Sequence, residues 1–148
     1  MNRSKRLEPV ARVADNRQEN AARFLGQCQR ELAATEHQLQ ELVAYREEYI
    51  RRFDDAARQG IDAVAIHEYR AFMLRLNQAI EQQSRAVDSA RVKHEKSRLQ
   101  WLEARSRAHA IDAAIGRFRE DELRVADKRE QFEVDDRSQH RRPPGGHE

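Results

Sequence analysis

The sequence predicts an all-α protein, a long antiparallel two-helix coiled coil folded as a hairpin. Three observations predict it. Residues 10–142 contain no proline, and Gly26, Gly60 and Gly116 are the only glycines in that span. A sheet-containing fold needs turn residues at every chain reversal, and this chain offers one or two places for them. Charged residues make up 36% of the 148 and the hydrophobic set 39%, a balance that favours a long helix pair over a globular core. Apolar residues also recur with a period of 3.5 through most of the chain, which marks a coiled-coil seam, because an unsupported helix would let the stripe drift round its axis.

A first helix is expected from about residue 8 to residue 58, roughly 75 Å at 1.5 Å per residue. From Leu25 its inward positions are Leu25, Cys28, Leu32, Thr35, Leu39, Leu42, Arg46, Tyr49, Phe53 and Ala56, eight of ten apolar or aromatic. Upstream the same register reads Leu7, Ala11, Ala14, Gln18 and Ala21, small side chains that bury little area. This end should be looser than the middle. The break falls at 59–62, Gln59-Gly60-Ile61-Asp62. Gly60 can take the left-handed conformation that ends a helix, and the Asp62 carboxylate can cap the next one.

The second helix is expected from about residue 62 to residue 136, roughly 110 Å long. Its register runs Ile66, Tyr69, Met73, Leu76, Ile80, Gln83, Val87, Ala90, His94, Ser97, Trp101, Ala104, Ala108, Ile111, Ile115, Phe118, Glu122, Val125, Arg129 and Phe132, fifteen of twenty apolar or aromatic. So tight a turn makes the helices antiparallel. Facing residue numbers then sum to about 121, which sets Tyr49 level with Phe72, Tyr45 with Leu76, Leu42 with Ala79 and Gln38 with Gln83. The longer second helix overhangs its partner from near Gly116. Residues 1–136 form the hairpin, and the breaker-rich tail 137–148 is expected to be disordered.

Several function classes fall away. There is no Gly-x-x-x-x-Gly-Lys-Ser/Thr loop to cradle phosphates and no His-Glu-x-x-His. No Glu precedes a His by three residues, and the six histidines show no i,i+4 pairing, so the pattern calls for no metal, no cofactor and no catalytic residue. The chain reads as non-enzymatic. Cys28, on the inward stripe, reads as a small buried hydrophobe, and a single cysteine fits a reducing, cytoplasmic compartment. Arg46, Gln83 and Glu122 on the seams read as devices that fix register. No apolar run reaches membrane-spanning length. A formal net charge of +2 argues against a nucleic-acid partner.

What remains is surface. Tyr45, Phe72 and Ala79 sit just before inward positions, beside Leu42, Tyr49 and Leu76. With Gln38 and Gln83 they form one two-helix patch, with steps of four, three and four residues on both helices. The pattern alone admits two readings. One is a wide core stripe; the other is an exposed aromatic patch of the kind that marks a partner site.

Arg6-Leu7-Glu8-Pro9-Val10, Ala21-Ala22-Arg23-Phe24-Leu25-Gly26 and Tyr45-Arg46-Glu47-Glu48-Tyr49 resemble the first helix of the FliJ proteins of flagellar type III export. Tyr69-Arg70-Ala71-Phe72-Met73-Leu74-Arg75-Leu76-Asn77-Gln78-Ala79-Ile80 and Trp101-Leu102-Glu103-Ala104-Arg105 resemble its second. The likeness covers roughly residues 6–135. It implies a hairpin similar to the central shaft of the ATP synthase. It also implies a stalk role, coupling the hexameric flagellar export ATPase to the membrane export gate protein FlhA through the gate's cytoplasmic domain, and association with export chaperones. Such a protein is cytoplasmic and peripheral at the cytoplasmic face of the inner membrane. The gate-binding residues carry over to Gln38, Leu42, Tyr45, Tyr49, Phe72, Leu76, Ala79 and Gln83, the last at a place where the pattern equally admits His. The ATPase would be met by the joint N- and C-terminal end. Without the resemblance, the same patch suits a generic coiled coil that dimerises into a four-helix bundle.

Overall fold

The computed structural model describes residues 2–141. Two helices account for nearly all of them, α1 (Arg3–Gln59) and α2 (Ala63–Arg141), with no strand among the described residues. The fold is an all-α helical hairpin.

The reversal between the helices follows from two residues. Gly60 has φ of 96°, a left-handed conformation that costs an L-residue about 1 kcal/mol or more. Its N–H donates to the Ala57 carbonyl at 3.2 Å and closes α1. Asp62 then opens α2. Its carboxylate accepts from the Ala65 N–H at 2.8 Å, and its carbonyl takes the first helical bond from Ile66 at 3.2 Å.

The chain divides into two compact units. The unit Asn20–Leu102 carries the turn. Every inward residue from Leu25 to Phe53 on α1 and from Ile66 to Trp101 on α2 is buried or half-buried. Ala56, beside the turn, is exposed instead, because it lies within a turn of the end of α1 and no third element covers it. Few of these residues are buried rather than half-buried: Cys28, Leu76, Val87 and Ser97 are, the first and last of them fully. Two helices form a single pair of faces, so most seam residues keep one edge in water. Polar seam residues tie the pair together. Arg46 donates to the Asn77 side-chain oxygen at 3.1 Å. Gln83 donates to the Thr35 carbonyl at 3.0 Å and to Gln38 Oε1 at 3.1 Å.

The other unit joins residues up to Glu19 with those from Glu103 onward. Ala14, Ala108 and Ile115 form its buried core. Here the helix bounds depart from the sequence expectation. The expected start near residue 8 is too late: α1 begins at Arg3 and carries Pro9 inside it. Proline lacks the N–H that the Lys5 carbonyl would accept, so the first turns need outside support. They receive it from α2. The Ser4 N–H donates to Glu122 Oε1 at 3.1 Å and its hydroxyl to Glu122 Oε2 at 2.7 Å, so a carboxylate on the opposite helix caps α1. Arg119 lies 3.5 Å from Glu8, and the Arg3 guanidinium stands 5.8 Å from the Phe118 ring centroid.

Because α1 starts early, the paired seam extends beyond Gly116 to Glu122. There it stops. Val125 and Phe132 continue the inward register yet are 60% and 73% exposed. The helix also runs through 137–141, where a disordered tail was expected, since no breaker precedes Pro143. The rest of that expected tail, 142–148, lies outside the described residues.

The Glu122 cap is expected to weaken in acid. The hydrogen bond from the Ser4 hydroxyl, ahead of the Ser4 N–H and of Arg119 and Lys5, holds the Glu122 carboxyl below its ordinary value against the opposing effect of desolvation. A lowered folded-state pKa stabilises the fold above the ordinary glutamate range of about 4.3, and that contribution is lost as pH falls through the folded value. The Ser4 amide resonance should therefore titrate with a midpoint below the ordinary glutamate range, and Glu122→Gln should abolish the transition. A midpoint at or above that range would remove the cap from the account.

Candidate partner-binding site

The patch is built on the turn-proximal part of the unit Asn20–Leu102. Its centre is a chain of five rings from alternate helices. Phe53 stacks on Tyr69 at 3.7 Å between centroids, Tyr69 on Tyr49 at 5.6 Å, and Tyr49 meets Phe72 at 4.4 Å. Tyr45 caps the chain, 6.1 Å from Phe72 edge-on and 6.3 Å from Tyr49. All three tyrosines of the chain are in this cluster.

The heptad dictates this arrangement. Tyr49, Phe53 and Tyr69 are inward residues whose rings interleave, whereas Tyr45 and Phe72 stand one place earlier and share one flank of the seam. Tyr45 remains 50% exposed, while Phe72 is half-buried against Tyr49. The opposite flank carries no aromatic ring: it presents Val43 and Ile50 of α1 with Arg70, Asn77 and Ser84 of α2. The aromatic surface is thus one-sided.

The sequence-derived residues take different places within it. Gln38 and Tyr45 are exposed, and Leu42, Tyr49, Phe72, Ala79 and Gln83 are half-buried. Leu76 is only 6% exposed; it supports the patch from beneath and offers no surface of its own. Burial thus divides the residues: Leu76 belongs to the core stripe, and Gln38 and Tyr45 lie at the surface. Gln38, Glu41, Leu42, Tyr45 and Gln83 line a shallow depression, with the Gln83–Gln38 hydrogen bond bridging the two helices across it. Glu41 was not singled out by the sequence, nor were Phe53 and Tyr69 as members of the cluster. Phe53 and Tyr69 could have been found, since their numbers sum to 122 and satisfy the facing rule. Glu41 carries no such signal: it is a surface residue, 2.9 Å from His37.

The depression carries neither a nucleophile nor a paired acid and base, and among the described residues no group of three or more His, Cys, Asp or Glu is placed to hold a metal ion. No helix among them is long and apolar enough to cross a membrane. Cys28, the free cysteine, is buried in the seam.

Fold and site together define a helical-hairpin protein with a one-sided aromatic patch near its turn. A family model described as flagellar FliJ protein matches residues 3–142, and the chain belongs to that family. A flagellar FliJ protein of Salmonella typhi is 26% identical over 133 residues, covering 90% of this chain and 90% of that protein. No solved structure matches the chain. The family is a flagellar export component and is not known as a family of enzymes.

Proposed function

We propose that the chain is a non-enzymatic stalk of the flagellar type III export apparatus, coupling the hexameric export ATPase to the membrane export gate. The patch of Gln38, Leu42, Tyr45, Tyr49, Phe72, Leu76, Ala79 and Gln83 binds the cytoplasmic domain of the gate protein FlhA, with Leu76 acting from beneath. The chain works in the cytoplasm at the inner face of the membrane, held there through the gate, and associates with export chaperones.

One observation carries this reading. Tyr45 is half exposed yet braced by Tyr49 and Phe72. A large ring held rigidly in water loses little freedom on binding and suits an interface anchor. The neighbouring depression, rimmed by the Gln38 and Gln83 amides and the Glu41 carboxylate, suits an apolar partner side chain with a hydrogen-bonding edge.

The terminal unit supports the ATPase-facing role. Val125 and Phe132 keep the spacing of a seam without a helix to cover them, and exposed apolar residues at seam spacing suit a partner surface. Binding there and at the patch would allow one partner to bias the state of the other. The purified chain is expected to hydrolyse no ATP and to raise turnover by the cognate export ATPase, as read in a phosphate-release assay. No change in rate together with no binding at micromolar concentration would reject the stalk role.

A further inference from the structure

We propose that the depression beside Tyr45 receives an arginine side chain of the gate's cytoplasmic domain. The inference rests on the gate-binding reading and names the chemistry that the site selects. The lining, Gln38, Glu41, Leu42, Tyr45 and Gln83, contains no lysine or arginine, and Glu41 is its one ionised group at neutral pH.

The hydrogen bonds already made decide what the amides have left. Gln83 Nε2 donates to the Thr35 carbonyl at 3.0 Å and to Gln38 Oε1 at 3.1 Å, so both of its N–H groups are engaged. Gln83 therefore offers a partner only its oxygen, an acceptor. The same bond fixes the orientation of the Gln38 amide, whose oxygen keeps a second lone pair. The Glu41 side chain is 66% exposed and meets His37 Nε2 through one oxygen at 2.9 Å, leaving the other without a partner among the described residues. A carboxylate and two amide oxygens thus stand against the Gln38 amino group and the Tyr45 hydroxyl. Acceptors and negative charge dominate the rim.

Such a rim calls for a positive side chain that only donates, which leaves lysine and arginine. Geometry selects arginine. Leu42 gives its methylene stem an apolar surface. Glu41 and Tyr45 lie one turn apart on α1 and are neighbours on its surface, so a guanidinium paired with the carboxylate is brought against the ring. Its planar fork donates to two acceptors at once and stacks on an aromatic face, whereas the ammonium of lysine is a compact point charge. Arginine is thus the side chain with an apolar body and a hydrogen-bonding edge that this depression suits.

Calorimetric titration of the full chain with the gate's cytoplasmic domain, well below the melting transition, tests the pocket. Glu41→Gln keeps the shape of the side chain and removes its charge. It should weaken binding about tenfold, as for the loss of a hydrogen bond between charged groups, flatten the salt dependence and leave the melting temperature unchanged. Tyr45→Ala is the reference. Weaker binding by Tyr45→Ala but not by Glu41→Gln would overturn the pocket and leave the gate surface standing; no effect of either would remove both. Arginine itself is read from the Nε–H resonances of the isotope-labelled gate domain. One of them should shift on saturation with the native chain, and shift less on saturation with Glu41→Gln. Binding weakened by Glu41→Gln with no arginine resonance moved by the native chain would overturn the choice of arginine.

Discussion

Tyr45→Ala is expected to weaken binding to the cytoplasmic domain of the export gate roughly thirtyfold, about 2 kcal/mol, with little change in melting temperature. The ring is half exposed and contributes one end of the aromatic chain rather than its centre. Truncation therefore leaves no cavity in the seam, and the cost to folding should stay within about 1 kcal/mol. Phe72 is a less clean probe. It packs 4.4 Å from Tyr49 and is half-buried, so Phe72→Ala should lower both stability and binding. Circular dichroism melting beside calorimetric titration separates the contributions. A Tyr45→Ala variant that melts much earlier but binds the gate normally while folded would make Tyr45 a core residue.

Leu76→Ala should behave in the opposite way. Leu76 is one of the few large side chains that are buried, at 6% exposure, and Leu→Ala in a packed core costs about 2–5 kcal/mol. A two-helix layer relaxes into a void more easily than a globular core. About 2–3 kcal/mol is therefore expected, near 10 °C in melting temperature for a chain of this size. Its effect on gate binding, measured below the melting transition, should be smaller than that of Tyr45→Ala, because it reaches the surface only through the residues it supports. Melting unchanged by the substitution would mean that the seam does not hold the patch in place.

The contrast between these neighbours marks where the sequence stops being informative. A period of 3.5 identifies inward residues, and one reversal at Gly60 sets their partners. Tyr49 meets Phe72 and Gln38 meets Gln83 as the facing rule requires. Local chemistry sufficed for this. Gly60 supplies the left-handed φ and Asp62 supplies the cap.

Tyr45 and Phe72 share a flanking position, yet one is more exposed than the other. The difference depends on how tightly the neighbouring rings crowd, which no single-helix pattern encodes. The start of α1 was illegible for a different reason. Pro9 is a local signal for a helix start, but the acceptor that stabilises the earlier turns is Glu122, more than a hundred positions away. The same long-range contact carries the seam past Gly116, and beyond Glu122 the heptad of α2 persists with no helix among the described residues to answer it. Periodicity reports that a face seeks a partner. It does not report whether this chain supplies one.

The central claim, that the aromatic patch near the turn receives the export gate, is tested most directly by mapping the contact. The isotope-labelled chain would be titrated with the gate's cytoplasmic domain and followed by amide resonances. Perturbations concentrated at residues 38–49 and 72–83, centred on Tyr45, are predicted. Saturable perturbations confined to the terminal unit, or none within residues 38–83 at gate concentrations that saturate binding, would contradict it.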